Sequence, residues 1–232
     1  MEAPESHPHM AKTIWFITGS DTGVGKTVLT TLLTRHLLAQ GIRVRAVKPF
    51  CSGGRDDAEA LFAAQLGQVP LDAINPWHFR APLTPLLAAR RERKQVTLAE
   101  TVQFLKYAAQ QCDVLLIEGA GGVLSPLGEG FSARDLIAQT RARPLVVCAD
   151  RLGVINQGLM ALATLPPYLA ARARLILSGG SPRDLSQATN SKMLMELLGP
   201  DRVHTLPWVK PEELAGMLPS RLRQRLAAIV AG

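Results

Sequence analysis

The residues best suited to chemistry lie in a glycine-rich segment near the start of the chain, GSDTGVGKT at positions 19–27. Its glycines allow backbone N–H groups to turn toward phosphate oxygens, and a helix that begins there adds partial positive charge. Lys26 is placed to reach the β and γ phosphates of a nucleotide, and the Thr27 hydroxyl suits a Mg²⁺ ligand. We therefore interpret the segment as a phosphate-binding loop. Nucleotide contacts are expected from Gly23, Val24, Gly25, Lys26, Thr27 and Val28.

This loop is one residue longer than the common pattern. Five residues rather than four separate Gly19 from Gly25, and Ser20 stands where the strict pattern has glycine. The alternative is a chance glycine-rich turn, but it would have to place Gly-Lys-Thr by accident between a strand and a helix. The context on both sides favours the phosphate loop.

Charged residues also follow two other predicted strands. Lys48 ends the second strand, where an ammonium can stabilise a transferring phosphoryl group, a carboxylate or a carbamate; a surface lysine is the alternative. Glu118 ends a buried apolar run, and a carboxylate there belongs near Mg²⁺ because burying it unpaired is costly. Asp57 is a second candidate carboxylate, with Asp56 as its competitor and helix capping as the alternative for either.

The elements that must position these residues alternate along the chain. The sequence predicts strands at 13–18, 43–48, 113–118, 144–149, 174–177 and 203–206. It predicts helices at 26–40, 57–66, 97–111, 131–140, 155–169 and 185–198, with a last helix closing the chain and an irregular stretch at 70–85. This order implies an α/β fold, a doubly wound, mostly parallel sheet flanked by helices, with ligands at the carboxyl ends of the strands. We predict one P-loop NTPase-like domain over residues 13–232, after a flexible leader at residues 1–12.

Composition limits the class of protein. Hydrophobic residues make up 47% and charged residues 19% of the 232 residues, which is typical of a soluble globular protein. No apolar run reaches the roughly 18 residues that a membrane span needs. The first ten residues lack the charged start and apolar run of a signal peptide. We therefore expect a cytoplasmic protein with no membrane partner.

Charge and cysteine content carry less information. The net charge is +7, but the densest basic run, at 90–94, is broken by a glutamate and has no interleaved aromatic residue. We interpret that run as a solvated loop or helix end and expect no nucleic-acid partner. The three cysteines have no metal-ligand spacing, which favours reduced thiols.

Taken in order, the motifs resemble those of the dethiobiotin synthetases. The five-residue spacing of the phosphate loop is typical of that family. The other shared segments are Lys48-Pro49, Ser52-Gly53, Asn75-Pro76, Glu118 to Gly122, Leu152 to Asn156 and Pro207-Trp208. The resemblance runs over about residues 13–213, nearly the whole chain.

The resemblance implies an enzyme that adds CO₂ to 7,8-diaminononanoate, phosphorylates the resulting carbamate with ATP, and closes a cyclic urea to give dethiobiotin. It implies Lys26 and Lys48 as catalytic residues, and Thr27, Asp57 and Glu118 around Mg²⁺. Further nucleotide contacts are implied for Gly119, Ala120, Gly121, Ser178, Pro207, Trp208 and Val209, in addition to Asp57 and Glu118. Diamine contacts are implied for Thr22 and Ser52. It also implies a homodimer, in which the segment Leu152, Gly153, Val154 and Asn156 holds the carboxylate of the substrate across the interface.

Two departures from the family pattern affect these assignments. The stretch between Ser52 and Asp57 is shorter than is usual, which leaves Asp56 open as the metal ligand. Ser178 stands where the family commonly has an asparagine that reads adenine, and a hydroxyl cannot make the same paired contact. Other nucleoside triphosphates therefore remain open as co-substrates beside ATP.

The main alternative is a partner-regulated ATPase of the septum-site or chromosome-partition type. Such proteins usually carry an extra lysine near the start of the phosphate loop, which the segment 19–21 lacks. They also favour aspartate at the position of Glu118. Both features favour the ligase.

Overall fold

The computed structural model describes residues 13–180, 185–210, 213–214 and 216–231. The predicted leader at 1–12 lies outside the described residues. In chain order the strands are β1 (Thr13–Gly19), β2 (Val44–Val47), β3 (Phe50–Ser52), β4 (Trp77–Phe79), β5 (Val114–Glu118), β6 (Pro126–Gly128), β7 (Phe131–Ser132), β8 (Arg143–Ala149), β9 (Arg174–Ser178) and β10 (Val203–Leu206). The helices are α1 (Lys26–Leu38), α2 (Asp56–Ala64), α3 (Leu71–Ile74), α4 (Pro85–Arg91), α5 (Leu98–Gln110), α6 (Ala133–Thr140), α7 (Val154–Ala163), α8 (Pro167–Ala170), α9 (Gln187–Leu198) and α10 (Ser220–Val230).

Six strands form a central sheet in the order β10-β9-β8-β1-β5-β2, and all of their pairings are parallel. Strand β1 shows why helices cover both faces. Its side chains alternate, so Phe16 belongs to one apolar cluster while Trp15 and Ile17 belong to the other. A strand buried on both faces is typical of a parallel sheet. The predicted doubly wound α/β fold is confirmed.

The short connecting elements differ most from the sequence-based prediction. The stretch at 70–85, expected to be irregular, contains α3 and β4, and β4 pairs in parallel with β3. The helix expected at 155–169 is broken into α7 and α8, because Pro166 has an extended ψ of 143° and Pro167 begins the next helix. The helix expected from position 131 begins at Ala133, since Phe131 and Ser132 form β7.

Helix α5 begins with a capping box, as the spacing of Thr97 and Glu100 predicts. The Thr97 hydroxyl accepts from the Glu100 backbone N–H at 3.2 Å, and the Glu100 carboxylate accepts from the Thr97 N–H at 2.9 Å. For α2, in contrast, the expected cap is not observed among the described residues. It begins at Asp56, its N-cap position is Arg55, and no side-chain cap is found there within the described structure, so the capping role considered for Asp56 or Asp57 is wrong.

The capping box gives a stability prediction. We expect Thr97→Ala to lower the free energy of unfolding by about 1 kcal/mol, because the Glu100 N–H in the first turn loses the Thr97 hydroxyl as its acceptor. Urea denaturation followed by circular dichroism measures the change. The exposed Gln103→Ala substitution on the same helix is the control. Equal midpoints for the two variants would contradict the prediction.

Three general expectations can also be compared with the structure. Among the residues described, no helix is both long enough and apolar enough to cross a membrane. The three cysteines are buried, and none of them forms a disulfide among the described residues. The basic run at 90–94 lies at the end of α4, where Arg90 pairs with Glu129 and Lys94 pairs with Glu92. That run is a helix end, as interpreted.

Candidate nucleotide and substrate site

The phosphate loop connects β1 to α1 at the edge where the parallel strands end. Gly23 and Gly25 have φ values of +73° and +99°, a left-handed conformation that residues with a Cβ rarely adopt. A Cβ at Gly25 would also lie 2.6 Å from the Ser178 hydroxyl. Lys26 begins α1, is only 5% exposed, and donates from Nζ to the Asp21 carbonyl at 2.8 Å. The loop therefore has the glycine geometry and the lysine that phosphate binding requires.

Three side chains from other parts of the chain meet beside Thr27, the last residue of this loop. The Thr27 hydroxyl lies 2.8 Å from Asp57 Oδ1 and 2.7 Å from Glu118 Oε1. Lys48 Nζ donates to Asp57 Oδ2 and to Glu118 Oε1, both at 2.7 Å. Glu118 is fully buried at the end of β5, and Lys48 is 4% exposed just after β2. Residues far apart in sequence thus form one compact cluster.

The two lysines of the site are held in opposite electrostatic situations. Burial, together with the charge of Lys48, lowers the pKa of Lys26 from 10.5 to about 8. Burial alone would also lower the pKa of Lys48, but Glu118 and Asp57 more than offset it and raise that pKa above its ordinary value. The fold therefore stabilises the ammonium of Lys48 and disfavours that of Lys26 until an anion arrives.

The oxygen cluster fits a magnesium ion. Thr27, Asp57 and Glu118 offer one hydroxyl and two carboxylates, which are hard ligands of the kind Mg²⁺ prefers, and Mg²⁺ takes few protein ligands. Glu118 Oε2 is buried and has no hydrogen-bond partner within the described part of the chain. Groups of three or more His, Cys, Asp and Glu side chains suited to a metal are absent from the described residues. Asp56 is exposed, whereas Asp57 contacts Thr27 and Lys48. These contacts favour Asp57 over Asp56 as the metal ligand.

A cavity of about 730 Å³ opens over this cluster. Thr22 and Ser52, predicted beside the diamine, both line it, as do Ala120 and Gly121. The sequence reasoning missed several lining residues, namely Phe50, Cys51, Gly54, Pro82, Leu83, Thr84, Pro85 and Ser125. The apolar ones fit the hydrocarbon part of a small diamine.

Ser125 could have been recognised from the sequence. Its hydroxyl accepts from the Gly122 N–H at 2.8 Å, and it lies directly beside Gly121, whose φ is +68°. A serine a few residues after a glycine run often caps such a turn. Cys51 is different: burial raises the pKa of its thiol to about 11. Its contribution to the cavity wall therefore comes from the neutral thiol.

A second cavity, of about 470 Å³, lies on the other side of the phosphate loop. Its lining includes the predicted nucleotide contacts Val24, Val28, Ser178, Pro207, Trp208 and Val209. Asp150 and Gln187, which the sequence analysis did not consider, also line it, and the Gln187 amide donates to the Asp150 carbonyl at 2.7 Å. Trp208 is about half exposed, which leaves its ring available to a base.

Some predicted site residues lie elsewhere. Gly119 packs against Phe16 and is not among the described residues lining either cavity. The described residues that line these two cavities also include none from the segment 152–156 at the start of α7. Within it Leu152 is 80% exposed, Val154 is buried, and Asn156 donates to the Met160 sulfur. The substrate role implied for this segment stays a prediction.

Sequence comparison adds relatives along most of the chain. A family model described as an AAA domain matches residues 13–219. An ATP-dependent dethiobiotin synthetase of Anaeromyxobacter dehalogenans is 36% identical over 198 residues, which cover 83% of this chain and 89% of the relative. The enzyme of the same name from Bacillus subtilis is 31% identical over 80% of this chain and 83% of its own length. The one from Methanocaldococcus jannaschii is 38% identical over 62% and 70%.

Structural comparison gives the fold alone. The cell-division protein complex MinC:MinD of Aquifex aeolicus superimposes with a TM-score of 0.57 at 13% identity, covering 93% of each chain. MinD of the same organism gives a TM-score of 0.54 at 14% identity, covering 93% of this chain and 94% of its own. These matches agree with the predicted P-loop NTPase-like architecture.

Proposed function

The chain belongs to the ATP-dependent dethiobiotin synthetase family, and on that premise we propose that the cluster around Lys48 carries out the ring closure from which the family takes its name. The substrates are 7,8-diaminononanoate, CO₂ and a nucleoside triphosphate. The observation that carries this proposal is the convergence of two lysines and two carboxylates beside a phosphate loop, with Lys48 Nζ 2.7 Å from both Asp57 and Glu118.

The chemistry needs three bond-forming steps. One amine of the substrate attacks CO₂ and loses a proton, which gives a carbamate. A carbamate oxygen then attacks the γ-phosphorus of ATP, and ADP leaves. Finally the second amine attacks the carbamoyl carbon, and phosphate departs as the cyclic urea closes. Each step develops or moves negative charge on oxygen, so fixed cations at the reacting atoms are the main requirement.

The two lysines supply these cations. Lys48 has three N–H donors, and two of them are used by Asp57 and Glu118 in the described structure. The third is available to the carbamate or to the transferring phosphoryl group. Lys26 lies at the start of α1, where its ammonium can move from the Asp21 carbonyl to the β and γ phosphates. Both act by electrostatic stabilisation and positioning, without a covalent bond to the protein.

Thr27, Asp57 and Glu118 would hold Mg²⁺. A bound Mg²⁺ would supply charge neutralisation for the triphosphate. The role of the chain is to keep both carboxylates within hydrogen-bonding distance of the Thr27 hydroxyl, which lies 2.8 Å from Asp57 and 2.7 Å from Glu118.

We further propose a homodimer and a cytoplasmic location. Leu124 and Met160 are 53% and 61% exposed and line one surface cavity beside α7, and Leu152, which is 80% exposed, comes two residues before that helix. Exposed large apolar residues that cluster favour a protein interface, and this one would bring the segment 152–156 of one protomer toward its partner. Cysteines that form no disulfide among the described residues, together with the use of a nucleoside triphosphate, fit the reducing cytoplasm.

The test of function is phosphate release with and without the diamine. Purified protein is incubated with bicarbonate, Mg²⁺ and ATP, and 7,8-diaminononanoate is then added. We expect phosphate release to require the diamine and to match the dethiobiotin formed, as seen by mass spectrometry. Nucleotide hydrolysis indifferent to the diamine would instead favour a partner-regulated ATPase switch.

Nucleotide selectivity gives a separate prediction. The Ser178 hydroxyl lies against Gly25 and offers no paired amide to a base. A good paired base contact is worth about 1–3 kcal/mol. Because that contact is missing at Ser178, we expect ATP, GTP and CTP to differ by less than about tenfold in kcat/KM. Trp208→Ala should raise KM for all three nucleotides together by about tenfold, because aromatic stacking accepts any base. Steady-state kinetics with the three nucleotides measure both effects.

Tyr168→Ala, another exposed aromatic residue, is the control for Trp208. A preference for ATP of about a hundredfold or more would contradict the prediction, because it would require a group that reads adenine by about 2.7 kcal/mol or more.

A further inference from the structure

Lys48 and Asp57 are carried by different segments of the backbone. Lys48 follows β2, and Asp57 lies in the first turn of α2. Their ion pair of 2.7 Å joins the two side chains, but the backbones beneath must be placed independently. The connection between them runs through the irregular residues 53–55. Contacts from outside that connection must therefore hold the backbone of Lys48 in position.

A buried amide does this on the Lys48 side. Asn75 is 1% exposed, and its Nδ2 donates to the Lys48 carbonyl at 2.9 Å and to the Pro49 carbonyl at 3.2 Å. Backbone bonds flank the amide, because the Lys48 N–H donates to Ile74 O at 3.0 Å and the Trp77 N–H donates to Pro49 O at 3.1 Å. The peptide that carries Lys48 is therefore held from both sides by residues 74–77.

A guanidinium extends the contact to the Asp57 side. Arg55 Nε donates to Asn75 Oδ1 at 3.1 Å, and its Nη2 donates to the Asn75 carbonyl at 3.0 Å and to Asp72 at 2.9 Å. Arg55 occupies the N-cap position of α2, two residues before Asp57. A continuous path of hydrogen bonds thus joins the backbone of Lys48 to the first turn of α2.

We propose that Asn75, held by Arg55, is a positioning residue that sets Lys48 against Asp57 and the reacting phosphoryl group. This inference rests on the proposed function. Pro49 has no N–H, so the turn after Lys48 cannot be fixed by a local bond from that residue, and the Asn75 amide supplies donors from outside. A displacement of about 1 Å at a catalytic group can reduce the rate by about 10²-fold.

The competing explanation is that Asn75 merely satisfies buried carbonyls. Gln65, at the end of α2, provides an internal comparison, since it is a second buried amide, one that bonds to the backbone of β2. It is 3% exposed, its Nε2 donates to Ala46 O at 3.0 Å, and its Oε1 accepts from Ala46 N at 2.9 Å. Gln65 ties β2 to α2 but contacts neither Lys48 nor Pro49 through these bonds. A purely structural role predicts equal consequences for the two amides.

The experiment compares Asn75→Ala, Asn75→Asp and Arg55→Gln with Gln65→Met in the full chain. The aspartate keeps the acceptor for Arg55 but turns the donor toward Lys48 and Pro49 into an acceptor. Two quantities are measured: binding of a fluorescent nucleotide with Mg²⁺, which counts folded sites, and diamine-dependent phosphate release per bound nucleotide. Loss of folded protein lowers both signals in proportion and so leaves the ratio unchanged. Arg55→Gln keeps the test valid should both Asn75 variants fail to fold, because Arg55 is partly exposed.

We expect both Asn75 variants to release phosphate about 10²-fold more slowly per bound nucleotide, with nucleotide affinity changed by less than about threefold, because the phosphate loop is untouched. Arg55→Gln should show a smaller loss of the same kind. Gln65→Met should lower the melting temperature while its rate per bound nucleotide stays within about threefold of the wild type.

The inference is overturned if a folded Asn75 or Arg55 variant keeps a near-normal rate per bound nucleotide, or if Gln65→Met loses as much. The wild type is assayed in parallel. Absence of diamine-dependent release by the wild type would count against the proposed function itself, whereas a fully active wild type with active variants counts only against this inference.

Discussion

Lys26→Ala should release phosphate about 10²- to 10³-fold more slowly than the wild type, the loss typical of removing one fixed charge or donor from a developing oxyanion. Lys26 begins α1 at the phosphate loop and is nearly buried. A water molecule that filled the space left by the side chain would not carry the positive charge of the ammonium. Single-turnover phosphate release at saturating nucleotide measures the chemical step directly.

The same substitution should leave folding stability unchanged or slightly raised. In the absence of nucleotide the Lys26 ammonium is buried and repelled by Lys48, and both effects lower its pKa. Removing a charge that the fold disfavours carries no stability cost of its own. Lys106→Ala, an exposed lysine on α5, serves as the control for both measurements. A Lys26→Ala enzyme within about tenfold of the wild-type rate would remove this residue from the catalytic group.

The sequence predicted well the positions of those candidate residues that follow long buried strands. Glu118 follows four apolar residues in a strand, so its place at the carboxyl edge of the sheet is fixed by the strand itself. Lys26 follows from the glycine loop in the same way. In these cases one local pattern sets both the element and the direction in which the next side chain leaves it.

Residues placed by short elements could not be predicted in this way. Strands β3 and β4 have three residues each, too few for a periodicity of two to be recognised. Their parallel pairing nevertheless brings Phe50 and Cys51 to the cavity wall. The residues around a short strand do not indicate which distant segment of the chain it pairs with.

The choice between Asp56 and Asp57 shows the limit for helices. Successive residues differ by about 100° around a helix, so a one-residue error in the helix start exchanges which carboxylate faces the site. The structure starts α2 at Asp56 and turns Asp57 toward Thr27 and Lys48. The start is in turn held by the bonds of Arg55 to Asn75 and Asp72, which are tertiary contacts.

Lys48→Ala should combine loss of activity with loss of stability. We expect phosphate release to fall by about 10²- to 10³-fold, as for Lys26. Here, however, removal of the cation also leaves Glu118 fully buried without its ion-pair partner. Breaking a buried pair from one side costs about 3–5 kcal/mol, which corresponds to a fall of roughly 10 °C in melting temperature for a chain of this size.

Two further variants separate the charge effect from the loss of side-chain volume. Lys48→Met keeps most of the apolar stem, and combining it with Glu118→Gln removes both charges of the pair. We expect the double variant to be more stable than Lys48→Met alone, because the stranded carboxylate is gone. Differential scanning calorimetry in EDTA gives the melting temperatures of Lys48→Ala, Lys48→Met and the double variant.

Magnesium should distinguish Lys48→Ala from the wild type. In the wild type the Lys48 ammonium already pairs with both Asp57 and Glu118 and offsets one of their two negative charges, so Mg²⁺ without nucleotide should stabilise the wild type less than a variant that lacks this ammonium. In Lys48→Ala the two carboxylates are uncompensated, so their affinity for Mg²⁺ should rise, and millimolar Mg²⁺ should recover part of the lost melting temperature, since a ligand of the native state stabilises it by mass action. Sodium chloride at equal ionic strength is the control. If Lys48→Ala melts like the wild type in EDTA, or responds to Mg²⁺ no more than the wild type does, then the ion cluster does not hold the site together as its geometry implies.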